Sequence, residues 1–374
     1  MILDDWIKEK HGIEGRAAYG AALPALLSQT VEKARASLFY KHYPAVRTLA
    51  DFEALPFITA DDLKEQGARM LCVSSDGIQR IVTQQTSGTT GAPKRLYFTR
   101  DDLEHTVDYF AHGMRLVAAR GESCAMCLPC ETPDGVGDLL ARGLARMGAT
   151  PLRVGLLRDA ASLPVAQSVV GTPVQMLCLC ALLRARGQEL PQKALLSSDY
   201  VPRALLARLR SMGVEAYSHF GMTETGYGCA IDCGAHDGMH IRENDLYLEI
   251  VKEGKVVYDE WGELVVTTLN REAMPLLRYR TGDMAKLTLA PCACGSFLKR
   301  LWVRGRDARI AALDERLFAC DGVLDYTARR TQDGLDVTVY YMDKAPALCG
   351  EAGMCYSYRP FTAFRYTGKR QVEA

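Results

Sequence analysis

The chain has 374 residues, enough at roughly 100–200 residues per domain for two or three domains, and enough to bury a full core without disulfide staples. Its 45 Lys plus Arg balance its 45 Asp plus Glu, which argues against a protein whose main task is gripping nucleic acid or an anionic membrane. Hydrophobic residues at 48% and charged residues at 24% are ordinary for a soluble globular protein.

The start, MILDDWIKEKHG, carries acids and lacks the basic, apolar and small-residue segments of a secretory signal, so a cytoplasmic location is expected. Residues 1–75 read as helical, with Thr59 and Asp61 as capping candidates before DDLKEQGARML. From about Ile81, short apolar runs alternate with helical stretches, the pattern of βαβ units with a largely parallel sheet. The longest uncharged stretch, 160–183, contains Pro164, Gln167, Gly171, Pro173 and Gln175; it reads as buried strand, turn and helix, not as a membrane span. Between about Gly238 and Leu289, strand-like runs split by Gly and Asp turns predict antiparallel β structure. The residues after Gly305-Arg306-Asp307 read as a small α+β appendage. The expected fold is α/β: a large domain over 1–305, with sheets covered by helices plus a β-rich subdomain, and a small C-terminal domain over 306–374.

Thirteen cysteines, an odd number scattered through a long chain, suggest reduced thiols or metal ligands and not a disulfide framework. Cys124-x-x-Cys127-x-x-Cys130 lacks the fourth cysteine of an iron–sulfur run and reads as a buried strand using Cys as a small hydrophobe. Gly135-x-Gly137-x-x-Leu140 lacks the third glycine of a dinucleotide fingerprint.

Residues 84–94, QQTSGTTGAPK, follow the apolar pair Ile81-Val82. Gly88 and Gly91 let backbone N–H groups crowd an anion, the hydroxyls of Thr86, Ser87, Thr89 and Thr90 add donors, and Lys94 adds a point charge. The pattern suits a polyphosphate, yet its spacing is not that of a Walker loop.

TSGTTGAPK resembles the phosphate-binding loop of the adenylate-forming superfamily of acyl- and aryl-CoA ligases. Three further segments follow in that superfamily's order: FGMTE at 220–224, YRTGD at 279–283, and LWVRGRD at 301–307, which resembles the hinge between its two domains. DFEALPFITADDLKE and PCACG are similar more narrowly to the phenylacetate-CoA ligase branch. The resemblance implies activation of a carboxylic acid by ATP as an acyl-adenylate with release of pyrophosphate, then transfer to the thiol of CoA. It assigns the ATP phosphates to Thr86, Ser87, Gly88, Thr89, Thr90, Gly91 and Lys94. It assigns phosphate contact to Thr223, Mg2+ to Glu224, and the ribose hydroxyls to Asp283. Phe220, where the family usually has tyrosine, would stack on adenine beside Gly221 and Met222, with Ser198 and Asp199 falling at the adenine-edge loop. Arg306 would be the hinge or ribose-phosphate arginine, and Lys369, in a late Gly-Lys pair, the lysine at the acyl-phosphate.

Relatives that carry C-x6-H followed by C-x-C-G imply a closed structural Zn2+ site at Cys233, His240, Cys292 and Cys294, with His236 and Cys229 as alternative ligands. The family pattern is broken after Asp307, where 67 residues follow and Ala308-Arg309-Ile310 stand in place of the second hinge acid. That departure keeps two alternatives open: an acyl acceptor other than CoA (a carrier-protein thiol, a small thiol or an amine), or a catalytically silent nucleotide-binding homologue. No cation for a second carboxylate is evident near 130–137, so a modest aromatic or aliphatic monocarboxylic acid is the expected substrate. Some relatives form homodimers, an open expectation for this chain; no nucleic-acid or membrane partner is expected.

Overall fold

Threonine followed three residues later by aspartate starts three of the helices in the computed structural model, which describes residues 2–84, 93–304, 307–346, 353–364 and 371–373. The first helices are α1 (Ile2–His11), α2 (Arg16–Ala34), α3 (Leu49–Glu53) and α4 (Ala60–Gln66). Thr48 caps α3 and Thr59 caps α4; in each the hydroxyl accepts from an aspartate backbone N–H while that aspartate, Asp51 or Asp62, accepts in return. Strands β1 (Arg80–Gln84) and β2 (Lys94–Phe98) then pair antiparallel, with Gln84 opposite Lys94. The two strand ends flanking the glycine-rich loop are thereby fixed against each other. Thr99, boxed with Asp102, caps α5 (Arg100–Gly113).

The predicted alternation follows: β3 (Ser123–Cys127), α6 (Val136–Arg146), β4 (Thr150–Arg153), β5 (Ser168–Gly171), α7 (Pro173–Ala185), β6 (Lys193–Leu196), α8 (Arg203–Ser211) and β7 (Glu215–Phe220). These strands form a parallel sheet in the order β7-β6-β5-β3-β4. The uncharged stretch 160–183 supplies β5 and most of α7, both buried. Cys124 and Cys127 are fully buried on β3, and burial pushes the Cys124 thiol up to about 11 and the Cys127 thiol higher still, which suits apolar packing.

The β-rich stretch is antiparallel as expected: β8 (Ala230–Ile231), β9 (Met239–Ile241), β10 (Leu246–Lys252), β11 (Lys255–Val256), β12 (Trp261–Thr268), β13 (Tyr279–Thr288) and β14 (Arg300–Arg304), ordered β11-β10-β12-β13-β14-β9-β8. One face buries Ile241, Leu248, Ile250, Leu264, Val266 and Leu301. Last come α9 (Ala308–Ala319), β15 (Val323–Thr331), β16 (Gly334–Tyr341), β17 (Met354–Pro360) and β18 (Gln371–Glu373), the four strands in the order β17-β16-β15-β18. Two compact units result, Met1–Leu116 with Phe220–Arg306, and Val117–His219 with Asp307–Ala374. In the second, Leu313, Leu317, Phe318 and Tyr326 share one apolar core with Val169, Leu177, Leu205 and Leu209. Among the described residues no helix is long and apolar enough to cross a membrane.

Gly228 meets the face of Tyr109, a ring on α5 that is 1% exposed; a Cβ there would lie 2.0 Å from Cε1. Gly228→Ala is therefore expected to destabilise the protein by about 1–3 kcal/mol through overpacking. Calorimetric melting checks this, and an unchanged melting temperature would contradict the crowding.

Candidate functional site

The turn after β7 carries the second motif. Phe220 packs at the edge of the antiparallel core, and its carbonyl accepts from Cys229 N at 3.0 Å. Thr223–Thr225 form one 3-10 turn, closed by Tyr227 N donating to Met222 O at 2.9 Å; Gly226 and Tyr227 both adopt φ of 70°. That left-handed step is why glycine stands at 226. The turn lies against β2. Lys94 (7% exposed) donates to Glu224 Oε1 (Glu224 is 6% exposed), and Tyr279 OH donates to the same oxygen at 3.3 Å. The Lys94 ammonium also sits 5.9 Å from the Tyr279 ring centroid. Gln84 Nε2 donates to Thr223 Oγ1. Thus Lys94, Thr223 and Glu224, expected from the sequence, are brought together, and Gln84 and Tyr279 join them. Tyr279 stood inside a quoted motif and Gln84 at the head of the loop, but nothing in the sequence gave either a partner.

Asp283 lies on β13 in a bulge. Val265 pairs with Arg280 and Glu263 with Met284, so three residues, 281–283, face Leu264 alone. Gly282 takes φ of 75°, Thr281 Oγ1 donates to Leu264 O at 2.9 Å, and Asp283 N donates to Thr281 Oγ1 at 3.0 Å. A bulge of this kind re-aims a side chain out of the ladder. Gly221 and Met222 begin the turn, both half-buried. In the other unit, Ser198 takes φ of 68° and Asp199 Oδ1 accepts from Tyr200 N at 2.8 Å, while the neighbouring Ser197 hydroxyl is 2.8 Å from His219 Nδ1. Thr86, Ser87, Gly88, Thr89, Thr90, Gly91, Arg306 and Lys369 lie outside the described residues.

Behind the 223–225 turn is a narrow recess lined among others by Asp102, Thr106, Arg242, Asn270 and Arg271. Arg242 pairs with Asp245 at 2.6 Å, and Arg271 Nη2 donates to Glu224 O at 3.3 Å. Sequence reasoning missed both arginines, since a lone arginine carries no motif.

A second cluster gathers Cys233, His240, Cys292 and Cys294, whose ligand atoms all lie within 4.8 Å of one another. Cys233 Sγ is 3.8 Å from Cys292 Sγ, and Cys294 Sγ is 3.2 Å from His240 Nε2. A tetrahedral Zn2+ with Zn–S of about 2.3 Å spaces two sulphurs about 3.8 Å apart, so the set fits a closed structural site. Cys229 and His236 are outside it; His236 Nδ1 faces Asp232 Oδ2 at 3.0 Å instead. Burial pulls the His240 imidazole below its ordinary range, keeping it neutral as a ligand must be. Burial works to raise the Cys292 thiol, yet the Cys294 and Cys233 hydrogen bonds and the Arg300 charge hold it below the ordinary thiol range. Arg300 joins the two loops, donating to Asp237 O at 2.7 Å and to Ala290 O and Pro291 O at 3.3 Å.

No protein-family model matches the chain. A phenylacetate-coenzyme A ligase of Thermus thermophilus is 30% identical over 277 residues, covering 67% of this chain and 59% of that protein. The enzyme of the same name from Escherichia coli K12 is 30% identical over 267 residues, covering 66% and 60%. The chain thus spans about three fifths of the length of the curated relatives it matches. Among solved structures, a 2-hydroxyisobutyryl-CoA ligase in the postadenylation state, in complex with R3-HIB-AMP, superposes with a TM-score of 0.78 at 18% identity, over 96% of this chain and 90% of that one. A benzoate CoA ligase from Burkholderia xenovorans gives 0.55 at 15% identity, over 80% and 68%. In sequence the chain is a relative of the phenylacetate-CoA ligases, and its fold is that of the adenylate-forming CoA ligases.

Proposed function

We propose that the protein activates a monocarboxylic acid with ATP and Mg2+ as an acyl-adenylate and passes the acyl group to the thiol of CoA. The observation that carries the reading is the buried convergence of Lys94, Tyr279 and Glu224 beside a Thr223 held by Gln84, at the base of the glycine-rich loop. In the first half-reaction a substrate carboxylate oxygen bonds to the α-phosphorus while the bond to pyrophosphate breaks. In the second, the thiol sulphur bonds to the acyl carbon and AMP leaves.

The residues divide this work by charge. Both described hydrogen bonds to the Glu224 carboxylate fall on Oε1, and a carboxylate oxygen at the phosphate loop suits a hard cation. Mg2+ bound there would neutralise the phosphate oxygens and the charge that develops on them. Lys94, which closes on Glu224 in this structure, would exchange that carboxylate for phosphate as the nucleotide enters. Thr223 accepts from Gln84, so its own proton remains available to a phosphate oxygen. The bulged Asp283 would accept from the ribose hydroxyls, Phe220 would stack on adenine, and Ser198 and Asp199 would meet its edge. Residues 86–91 would bind phosphate, and Arg306 and Lys369 would act from the hinge and the C-terminal segment, in keeping with a functional division at 305/306. Zn2+ at Cys233, His240, Cys292 and Cys294 would pin two β-turns and offer no open position for chemistry.

Pyrophosphate release from ATP and Mg2+ across aryl and short-chain acids, with and without CoA, tests the proposal. Acid-dependent release with acyl-CoA as product is expected. Release without a thioester would transfer the second step to another acceptor, and nucleotide binding with no release for any acid would leave the catalytically silent nucleotide-binding homologue.

A further inference from the structure

We propose that Arg271 is a positioning residue: from behind the 223–225 turn it holds the backbone of Glu224, and so sets where that carboxylate and the Thr223 hydroxyl stand for a metal–nucleotide. The inference rests on the functional reading above and adds to it a residue that no motif marks.

Arg271 lies in the connection between β12 and β13 and is 9% exposed. Its guanidinium makes three contacts that together fix its plane. Nη2 donates to Glu224 O at 3.3 Å. Nε lies 3.8 Å from Asp102 Oδ1. The carbon of the guanidinium sits 4.5 Å from the ring centroid of Phe98, whose other stacking partner is Tyr227, with ring planes 10° apart. Each contact leads to a different part of the site. Phe98 ends the strand that Lys94 begins. Asp102 accepts from Thr99 N at 3.0 Å, from Glu272 N at 2.8 Å and from Ala273 N at 3.1 Å, so it ties the start of α5 to the Arg271 segment itself. Tyr227 closes the 3-10 turn.

The approach is tight. A Cβ on Gly226 would stand 3.3 Å from Arg271 Nη2 and 2.8 Å from Thr106 Oγ1, so guanidinium and turn are in contact. Lysine cannot repeat this arrangement. An ammonium has no plane to stack on Phe98 and no fork with which to serve a carboxylate and a carbonyl at set angles. Arg271→Lys thus keeps the positive charge beside Asp102 and removes the geometry.

Amide hydrogen exchange on the ligand-free protein, together with Mn2+ titration followed by water-proton relaxation in the presence of a non-hydrolysable ATP analogue, tests the proposal. In Arg271→Lys, exchange at the amides of Thr225, Gly226 and Tyr227 should rise, and the Mn2+ half-saturation should increase about tenfold, the usual scale for losing an outer partner of a metal ligand. Phe98→Leu, which removes only the stacking face, should move both in the same direction by less, and serves if Arg271→Lys fails to fold. A general loss of stability would lower the active fraction without shifting the half-saturation. Unchanged exchange at the turn, or faster exchange with an unchanged half-saturation, overturns the proposal. Wild-type protein that binds no Mn2+ with the nucleotide overturns the functional reading first, and this inference with it.

Discussion

Alanine in place of Lys94 is expected to reduce acid-dependent pyrophosphate release by about 10²–10³, the usual consequence of removing one preorganised group aimed at developing charge. A second effect accompanies it. Lys94 and Glu224 are both more than nine-tenths buried, so deleting the ammonium leaves a buried carboxylate with the Tyr279 hydroxyl at 3.3 Å as its other described donor. Breaking a buried pair from one side destabilises by roughly 3–5 kcal/mol. The two effects separate in the double variant Lys94→Met with Glu224→Gln, which removes both charges at similar volume. Its melting temperature should recover towards wild type while pyrophosphate release stays low. If the single variant released pyrophosphate at the wild-type rate per folded molecule, Lys94 would have no part in the chemistry.

Losing the metal should show mainly in stability. Cys292→Ser replaces a thiolate ligand with a hydroxyl, and the purified variant should lack the single zinc expected per chain by elemental analysis. Binding that favours the folded state alone stabilises by roughly 3–4 kcal/mol when free metal exceeds its dissociation constant by 100- to 1000-fold, and that contribution would be lost. What would still hold the 232–240 and 289–295 loops is the fan of Arg300 hydrogen bonds, so melting is expected to fall without the fold being abolished. A strong chelator should lower the wild-type melting temperature in the same way. Wild-type protein that carries no zinc and melts unchanged with chelator would refute the metal site.

Much of this was legible because the relevant signals are local. Thr59 was readable as a cap, although Asp62 and not the other candidate, Asp61, completes its box, and the run 160–183 declares its strand and helix through Gly171 and Pro173. The Cys233, His240, Cys292 and Cys294 set was readable as residue types in an order; the 3.8 Å and 3.2 Å approaches required the pairing of β9 with β14, which places His240 opposite Arg300. The contacts that escaped notice are those made across long sequence separations by residues without a motif. Gln84 reaches Thr223, 139 positions on, and Arg271 reaches back 47 positions to Glu224. Arg278 is similar: a φ of 50° and a buried pairing with Glu249 at 2.9 Å are not implied by its place in LLRYRTGD. Such residues are chosen by tertiary geometry, and periodicity and spacing do not report it.

The bulge at 281–283 sets a rule of arithmetic for this strand. Between its two flanking pairs, β13 spends four steps where β12 spends two, an excess of two residues. Because the excess is even, Tyr279 before the bulge and Ala285 and Leu287 after it are all buried. Inserting or deleting one residue here would turn Ala285 and Leu287 outward, bring Met284 and Lys286 in, and carry the error into the pairing with β14. Changes of length by two leave the sheet whole and alter only the protruding segment. Length changes engineered at the Asp283 bulge are thus expected to be tolerated in even steps and not in odd ones.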